Sequence, residues 1–294
     1  MTKTNFTRNR RKLNLKKNPL LLIGITLVSI IIIFTITVPF VSPYNWLDRD
    51  GTQRFIAPSS EHLFGTNEWG QDLFLGIWKG GRISLLVAVL GVLPYTLFGA
   101  FMGIIGGHSN NRIGFIISQL MTFIYAMPLL PLILLLRFPL GYIGLSETQI
   151  VYASIGIYSF FSAPTLYKIV KAETLRIKSE EYMKAAEIMG ISRYHQIVHH
   201  LLPNLAGQII VAMIQFMTQL IILELVLYFF GVYLQPEEGP TWGSLIPNIS
   251  GPNTFKEYYW IWLFPMIVVS LTTIGLKFIS EGLRIEFDPK AAQS

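Results

Sequence analysis

Long runs of apolar residues alternate with shorter polar segments along most of the chain. Six of these runs are long enough to cross the roughly 30 Å hydrocarbon core of a bilayer as helices. Within a few residues, they lie at 19–41, 83–107, 113–136, 149–170, 207–234 and 258–282. The pattern predicts an all-α membrane protein with six transmembrane helices.

The composition agrees with a lipid environment. Of the 294 residues, 52% are hydrophobic and only 14% are charged, whereas soluble domains carry about a quarter charged residues. Cysteine is absent, which excludes a disulfide framework and thiolate metal sites. The net charge of +6 could suggest nucleic acid, but the distribution of the charges argues against it. We expect no nucleic-acid partner, no metal and no cofactor.

A basic tail, residues 1–18, precedes the first apolar run and contains seven Lys and Arg and no acid. A cleavable signal peptide has a shorter apolar core that ends at a small-residue site, so we interpret 19–41 as an uncleaved first span. Most of the 23 Lys and Arg residues fall on the same side as this tail. The positive-inside rule then places both termini in the cytoplasm, with 42–82 and 235–257 outside the cell membrane.

Prolines and glycines occur at several positions within the spans. Prolines inside spans predict kinks: Pro94, Pro128, Pro131, Pro164 and Pro265. Glycines of the second span predict a small face for close helix packing: Gly91, Gly99, Gly103, Gly106 and Gly107. Before this span, Asp72 is expected to be the N-cap residue of the helix.

The longest polar stretch between apolar runs in the second half of the chain is 171–204. Ser179 is expected to cap a first helix, with Glu181 in its first turn. Gly190 can end that helix in the left-handed conformation, and Pro203 is expected to stop a second helix. The segment is therefore predicted to be an ordered helix–turn–helix that serves as a docking element.

The spacing within 171–204 resembles the EAA loop of ABC-importer permeases, which sits in a cleft on the ATPase subunits. Ala185 and Ala186 would then face a groove on an ATPase, and Lys184 replaces the Glu that begins the family's triplet. The coupling residues implied by the resemblance are Glu181, Lys184, Ala185, Ala186, Gly190, Leu202 and Pro203. The alternative is an amphipathic hairpin that packs only on its own helices.

Other segments resemble the same permeases. Residues 62–72, HLFGTNEWGQD, resemble the FGTDxxGRD signature of oligopeptide and dipeptide permease subunits, with Gln71 in place of Arg. Residues 222–243 resemble their fifth span and outer loop, and 264–289 their sixth span and tail. The resemblance covers about 15–290 and identifies the OppC/DppC family.

Membership of this family implies the type I ABC importer permease fold, with a permease core at 83–282 and a short cytoplasmic tail at 283–294. The chain would form half of the pore for oligopeptides in the cell membrane. Its implied partners are a second permease (OppB/DppB-like), two ATPases (OppD/OppF-like) and an extracytoplasmic substrate-binding protein (OppA-like). Relatives with the same signatures carry dipeptides, nickel or metallophores.

Two sequence features distinguish a subunit of an ATP-driven importer from other classes of membrane protein: the phosphate loop and the acidic residues inside the spans. The chain lacks the G-x-x-x-x-G-K-[ST] phosphate loop, so ATP hydrolysis is assigned to partner subunits, and no catalytic residue is expected. A secondary transporter would need coupling carboxylates, for which Glu224 is the main candidate, and a membrane-embedded enzyme would need a clustered polar set. Glu224 is expected either to line the substrate path and meet the peptide's amino end, or to form a structural hydrogen bond to a neighbouring span.

Overall fold

The computed structural model describes residues 18–230, 239–246 and 256–287. The regular structure of these residues is helical, apart from one isolated bridge between Thr66 and Asp72. Five helices are long and apolar enough to cross a membrane, or six if one bent pair counts as a span. The predicted all-α membrane fold is confirmed. Outside the described residues lie the tail segments 1–17 and 288–294 and the predicted outer-loop residues 235–238 and 247–255.

In chain order, the helices are α1 Pro19–Val41, α2 Leu73–His108, α3 Asn111–Tyr125, α4 Leu129–Tyr142, α5 Glu147–Ser179, α6 Glu181–Ile188, α7 Arg193–Phe229 and α8 Tyr259–Phe287. Helix α7 includes a π-helical segment, Gln196–Leu201. The bounds of α1 are those predicted for the first span. The later spans are longer than predicted, because several helices continue beyond their apolar runs.

Helix α2 begins at Leu73, ten residues before the span predicted at 83–107. Asp72 caps it as expected, since its Oδ1 accepts a hydrogen bond of 2.8 Å from the backbone N–H of Leu75. Arg82 lies in the part of the helix that precedes the predicted span. In the structure, Arg82 Nε donates to the carbonyl oxygen of Thr35 in α1 at 2.9 Å. This contact accommodates the charge on the helix.

The span predicted at 113–136 is a bent pair rather than one continuous helix. Helices α3 and α4 meet at an angle of 68°. Pro128 lies in the break, where its ring removes a backbone donor and disfavours the helical conformation of the preceding residue. By contrast, α2, α5 and α8 continue through Pro94, Pro164 and Pro265.

Helices α2 and α5 pack closely along the predicted glycine face. A Cβ atom added at Gly99 would lie 2.8 Å from the carbonyl oxygen of Ala163, and one at Gly103 would lie 2.7 Å from Cβ of Val170. Neither position has room for a side chain, because the two backbones approach too closely. The sequence-based prediction of a small packing face is confirmed.

The first and last spans close the bundle in a similar way. A Cβ atom at Gly24 would lie 2.7 Å from the carbonyl oxygen of Gly275, and one at Gly282 would lie 2.6 Å from Cβ of Leu21. Asn18 Nδ2 also donates a hydrogen bond of 2.8 Å to the carbonyl oxygen of Gly282. The start of α1 is therefore fixed against the end of α8.

Gly99→Ala should destabilise the protein, although alanine is the better helix former by up to about 1 kcal/mol. The new Cβ would meet the backbone of Ala163, and overpacking of this kind costs about 1–3 kcal/mol. Gly156→Ala is the matched control, because a Cβ there meets nothing within 4 Å, and it should retain or raise stability. Thermal unfolding of the detergent-solubilised protein compares the two, and equal melting temperatures would contradict the close approach.

Candidate functional site

The hairpin 171–204 lies between two membrane helices that both extend into it. Helix α5 runs without a break to Ser179, and α7 begins at Arg193 and continues to Phe229. Between them, α6 is the short helix of the hairpin. The predicted helix–turn–helix is present, and each of its ends is continuous with a span.

The start of α6 differs from the prediction, because Ser179 does not cap it. Ser179 is the last residue of α5, and its hydroxyl donates a hydrogen bond of 2.7 Å to the carbonyl oxygen of Arg176. Serine often bonds backward in this way at the end of a helix. The N-cap residue of α6 is Glu180, whose side chain makes no capping bond, and Glu181 lies in the first turn as expected.

Gly190 ends α6 in the left-handed conformation, with φ of +70°, as predicted. The N–H of Ile191 donates to the carbonyl oxygen of Ala186 at 3.0 Å, and the N–H of Gly190 donates to that of Glu187 at 3.1 Å. These two bonds define a Schellman motif. A Cβ at Gly190 would meet nothing within 4 Å, so backbone conformation rather than space requires glycine here.

The predicted helix stop at Pro203 is wrong. Helix α7 passes from the π-helical segment Gln196–Leu201 into α-helix at Leu202 and continues through Pro203. Pro203 therefore lies in the first α-helical turn, where its missing N–H is best tolerated. The segment begins at Gln196, which is buried and whose Nε2 donates to the carbonyl oxygen of Ile191 at 2.8 Å.

The residues to which the resemblance assigns coupling differ in exposure. Ala186 is only 3% exposed, next to the buried Met183. The expectation that both alanines face a partner is therefore wrong for Ala186, because adjacent helical positions point about 100° apart. The exposed members are Glu181, Lys184, Ala185, Gly190, Leu202 and Pro203.

Sequence analysis missed an exposed apolar patch at the turn. Ile188 is 87% exposed, Met189 71% and Tyr194 75%. We call these three residues the turn patch. Large exposed apolar patches are typical of surfaces that bind a protein, a membrane or a ligand. The available signal was the presence of three large apolar residues around the turn glycine of a polar hairpin.

The histidines of the hairpin lie on one side of α7. The rings of His195 and His199 stack with their centroids 4.0 Å apart, as expected for positions i and i+4. In the part of the chain that the structure describes, no three His, Asp or Glu side chains are placed to hold a metal ion.

Glu224 is buried within the bundle, with 4% exposure. Its Oε1 accepts hydrogen bonds from Ser84 Oγ of α2 at 3.0 Å and from the N–H of Gly243 at 2.9 Å. Ser84 Oγ in turn accepts from the N–H of Trp242 at 3.0 Å. Glu224 therefore joins α7 to α2 and to the segment 239–246. These bonds are those of the structural alternative, and a role in the substrate path stays a prediction.

Gln71, which replaces the Arg of the resembled signature, makes hydrogen bonds that connect distant parts of the segment 42–72. It is 6% exposed, and its Oε1 accepts from Asn67 Nδ2 at 2.9 Å while its Nε2 donates to the carbonyl oxygen of Trp46. Next to it, Asp72 pairs with His62 Nδ1 at 2.9 Å. The neutral Gln71 thus makes hydrogen bonds at the position where the resembled signature has a charged Arg.

Comparison with known proteins agrees with the membrane architecture. Residues 96–292 match the model of the family described as binding-protein-dependent transport system inner membrane component. Residues 11–58 match the N-terminal TM domain of oligopeptide transport permease C. The apolar helices and these matches define a multi-pass membrane permease. The chain belongs to the family of inner membrane components of binding-protein-dependent transport systems.

Its relatives align over nearly the whole chain. The dipeptide transport system permease protein DppC of Bacillus subtilis (strain 168) is 31% identical over 94% of this chain and 83% of its own length. The oligopeptide transport system permease protein OppC of Haemophilus influenzae is 29% identical over 93% of this chain and 86% of its own length. The OppC of Bacillus subtilis is 27% identical over 95% and 88%.

Substitutions at Glu224 should separate a structural role from a charge-based one. Glu224→Gln keeps the accepting oxygen and should leave both thermal stability and uptake close to wild type. Glu224→Leu leaves the buried N–H of Gly243 without its acceptor, which should lower stability by about 1–3 kcal/mol. If the glutamine variant melted normally but lost uptake, the charge itself would be required and the path-lining hypothesis would be supported.

Proposed function

We propose that this chain is one of two permease subunits of an ATP-driven peptide importer and forms half of its translocation pore. The curated relatives that it matches are named as dipeptide or oligopeptide permeases. The observation that carries the proposal is the ordered hairpin 171–204, which is continuous with two spans. Such a hairpin is suited to transmit movement from a protein outside the bilayer to helices within it.

The hairpin would dock in a cleft on a cytoplasmic ATPase through its exposed surface. The turn patch provides apolar contact area, and Ala185 allows close approach. Lys184 is exposed beside it. Since the resembled family has Glu at this position, the cognate ATPase would carry an acid opposite Lys184 or lack the base found in its relatives. ATP hydrolysis belongs to these partner subunits.

Movement of the hairpin would reach the pore through rigid contacts. Helix α5 is locked to α2 by the glycine face, and α7 is joined to α2 through Glu224 and Ser84. Closure of the two ATPases on ATP would therefore shift α2, α5 and α7 together and switch the pore between inward-facing and outward-facing states. A substrate-binding protein would deliver the peptide at the opposite surface, where the segment 42–72 lies.

The proposed substrate is an oligopeptide, because the N-terminal match is to an oligopeptide permease domain. A dipeptide is the closest alternative, and nickel or a metallophore is a more distant one. The selecting contacts of such a system lie largely in the binding protein. Uptake of labelled peptides by cells that express the complete importer, compared with nickel uptake, distinguishes these cargoes.

The proposed topology places both termini and the hairpin in the cytoplasm. Single cysteines can be introduced without background, because the chain has none, and Ser60 and Ser179 are both exposed. In whole cells, Ser60→Cys should react with an impermeant thiol reagent, and Ser179→Cys should react only after the membrane is permeabilised. The opposite labelling pattern would invert the topology.

Substitutions at Gly190 test the coupling role of the hairpin. Gly190→Leu should uncouple ATP hydrolysis from uptake, because leucine in the left-handed region costs roughly 1–2 kcal/mol and unwinds the turn. Gly190→Asn is the matched control, since asparagine tolerates this conformation, and it should retain most activity. Membrane insertion should be normal for both. Wild-type ATPase binding and uptake by the leucine variant would contradict the coupling role.

A further inference from the structure

All four carboxamide side chains between Leu202 and Phe229 lie on one side of α7. We call them the amide stripe: Asn204, Gln208, Gln215 and Gln219. At about 100° per residue, they fall within a sector of about 60°. The opposite flank of the helix carries apolar residues over the length of the stripe, with Glu224 further along it: Ala206, Ile210, Met213, Ile214 and Met217.

The two members of the stripe farthest from Pro203 lie in the middle of the span and make no side-chain hydrogen bond with the described residues. Gln215 and Gln219 are both exposed on the isolated chain. Neither carboxamide makes a hydrogen bond with any described residue. At 1.5 Å per residue, both lie at least about 15 Å from Pro203 and from Phe229, the two ends of the α-helical part. They are therefore at the depth of the hydrocarbon core.

Contact with lipid is excluded for these side chains by the energy of desolvation. A carboxamide has two donors and an acceptor with two lone pairs, and none can be satisfied by acyl chains. In the assembled transporter the stripe must face water, substrate or another polypeptide.

The stripe differs in chemistry from the faces by which α7 contacts other helices of this chain. Where α7 contacts other helices of this chain, it uses large apolar residues such as Leu205, Phe216 and Leu220 and, at points of close approach, small ones. For example, a Cβ at Gly207 would lie 2.6 Å from the Phe287 ring, and Ala212 is 3% exposed. Close helix packing in membranes favours such residues. The stripe instead presents neutral, hydrogen-bonding side chains in two pairs, one near Pro203 and one at mid-span. Such side chains can bond a neighbouring span, and they equally suit the wall of a hydrated path.

We propose that Gln215 and Gln219 line the water-filled translocation path and bind the peptide groups of the passing substrate. A carboxamide can accept from a peptide N–H and donate to a peptide carbonyl oxygen, so it can bond the backbone of a peptide whatever side chains the substrate carries. Because the stripe is uncharged, it holds a peptide without a strong preference for its net charge. Gln208 and then Asn204 continue the track toward the cytoplasm. This proposal rests on the proposed importer function and assigns it a substrate contact.

Thiol labelling in the assembled importer tests where the stripe faces. Gln215→Cys and Gln219→Cys are compared with Ile210→Cys, an exposed position on the apolar flank. The probe is 2-(trimethylammonium)ethyl methanethiosulfonate, a charged reagent that needs water. The rate of modification of this chain is measured by mass spectrometry. The stripe cysteines should react at least tenfold faster than Cys at 210, and a mixture of tripeptides with ATP should slow them severalfold.

Two results would overturn the proposal. Unreactive stripe cysteines would show that the partner permease or lipid covers this face. Reaction at a rate that tripeptides do not change would show a hydrated surface that binds no peptide.

Uptake measurements separate this inference from the importer proposal itself. The double variant Gln215→Met, Gln219→Met keeps side-chain length but removes both carboxamides, and the loss of two hydrogen bonds should reduce tripeptide uptake about tenfold. Gln215→Asn, Gln219→Asn keeps the amides and should recover part of it. If ATPases co-purify with the methionine variant and uptake is normal, the stripe has no role. If no ATPase co-purifies even with the wild-type chain, the importer proposal fails first.

Discussion

The bilayer core offers no water to a polar group, and this constraint determines how the chain distributes its polar residues. One oxygen shows the consequence: Glu224 Oε1 accepts from Ser84 and from the backbone of Gly243. The neighbouring Trp242 is fully buried, and its Nε1 donates to the carbonyl oxygen of Ile77 at 2.9 Å. These hydrogen bonds fix the segment 239–246 in the bundle in one orientation, which hydrophobic packing alone would not specify.

A second constraint follows from the same solvent. Lipid removes most of the hydrophobic force between helices, so their association depends on close contact. Gly99 and Gly103 allow α5 to touch the backbone of α2, and α5 then continues to Ser179 at the hairpin. A rigid pair of helices thus connects the membrane interior to the surface that carries the turn patch. In the proposed importer, this continuity is what lets a local displacement of the hairpin act at a distance.

Features set by local chemistry could be predicted from the sequence, and features set by tertiary contacts could not. The apolar runs, the Asp72 cap and the left-handed Gly190 each depend on a few adjacent residues. The contact of Arg82 with α1 depends on a carbonyl group that is distant in the sequence. The orientation of Ala186 likewise depends on how α6 packs, which no residue of the motif encodes.

Glu224 illustrates why residue type alone misplaces a polar site in a membrane. Charge makes an acid conspicuous in an apolar run, but a buried acid also needs donors, and Ser84 and Gly243 supply them to Oε1. A neutral carboxamide imposes a weaker demand and can face a narrow column of water. A pore for varied peptides must release each one it binds, so weak, reversible amide contacts suit its wall better than a buried carboxylate. We therefore expect neutral polar residues to bind the substrate in such a pore. Acids are expected to form structural hydrogen bonds between its segments.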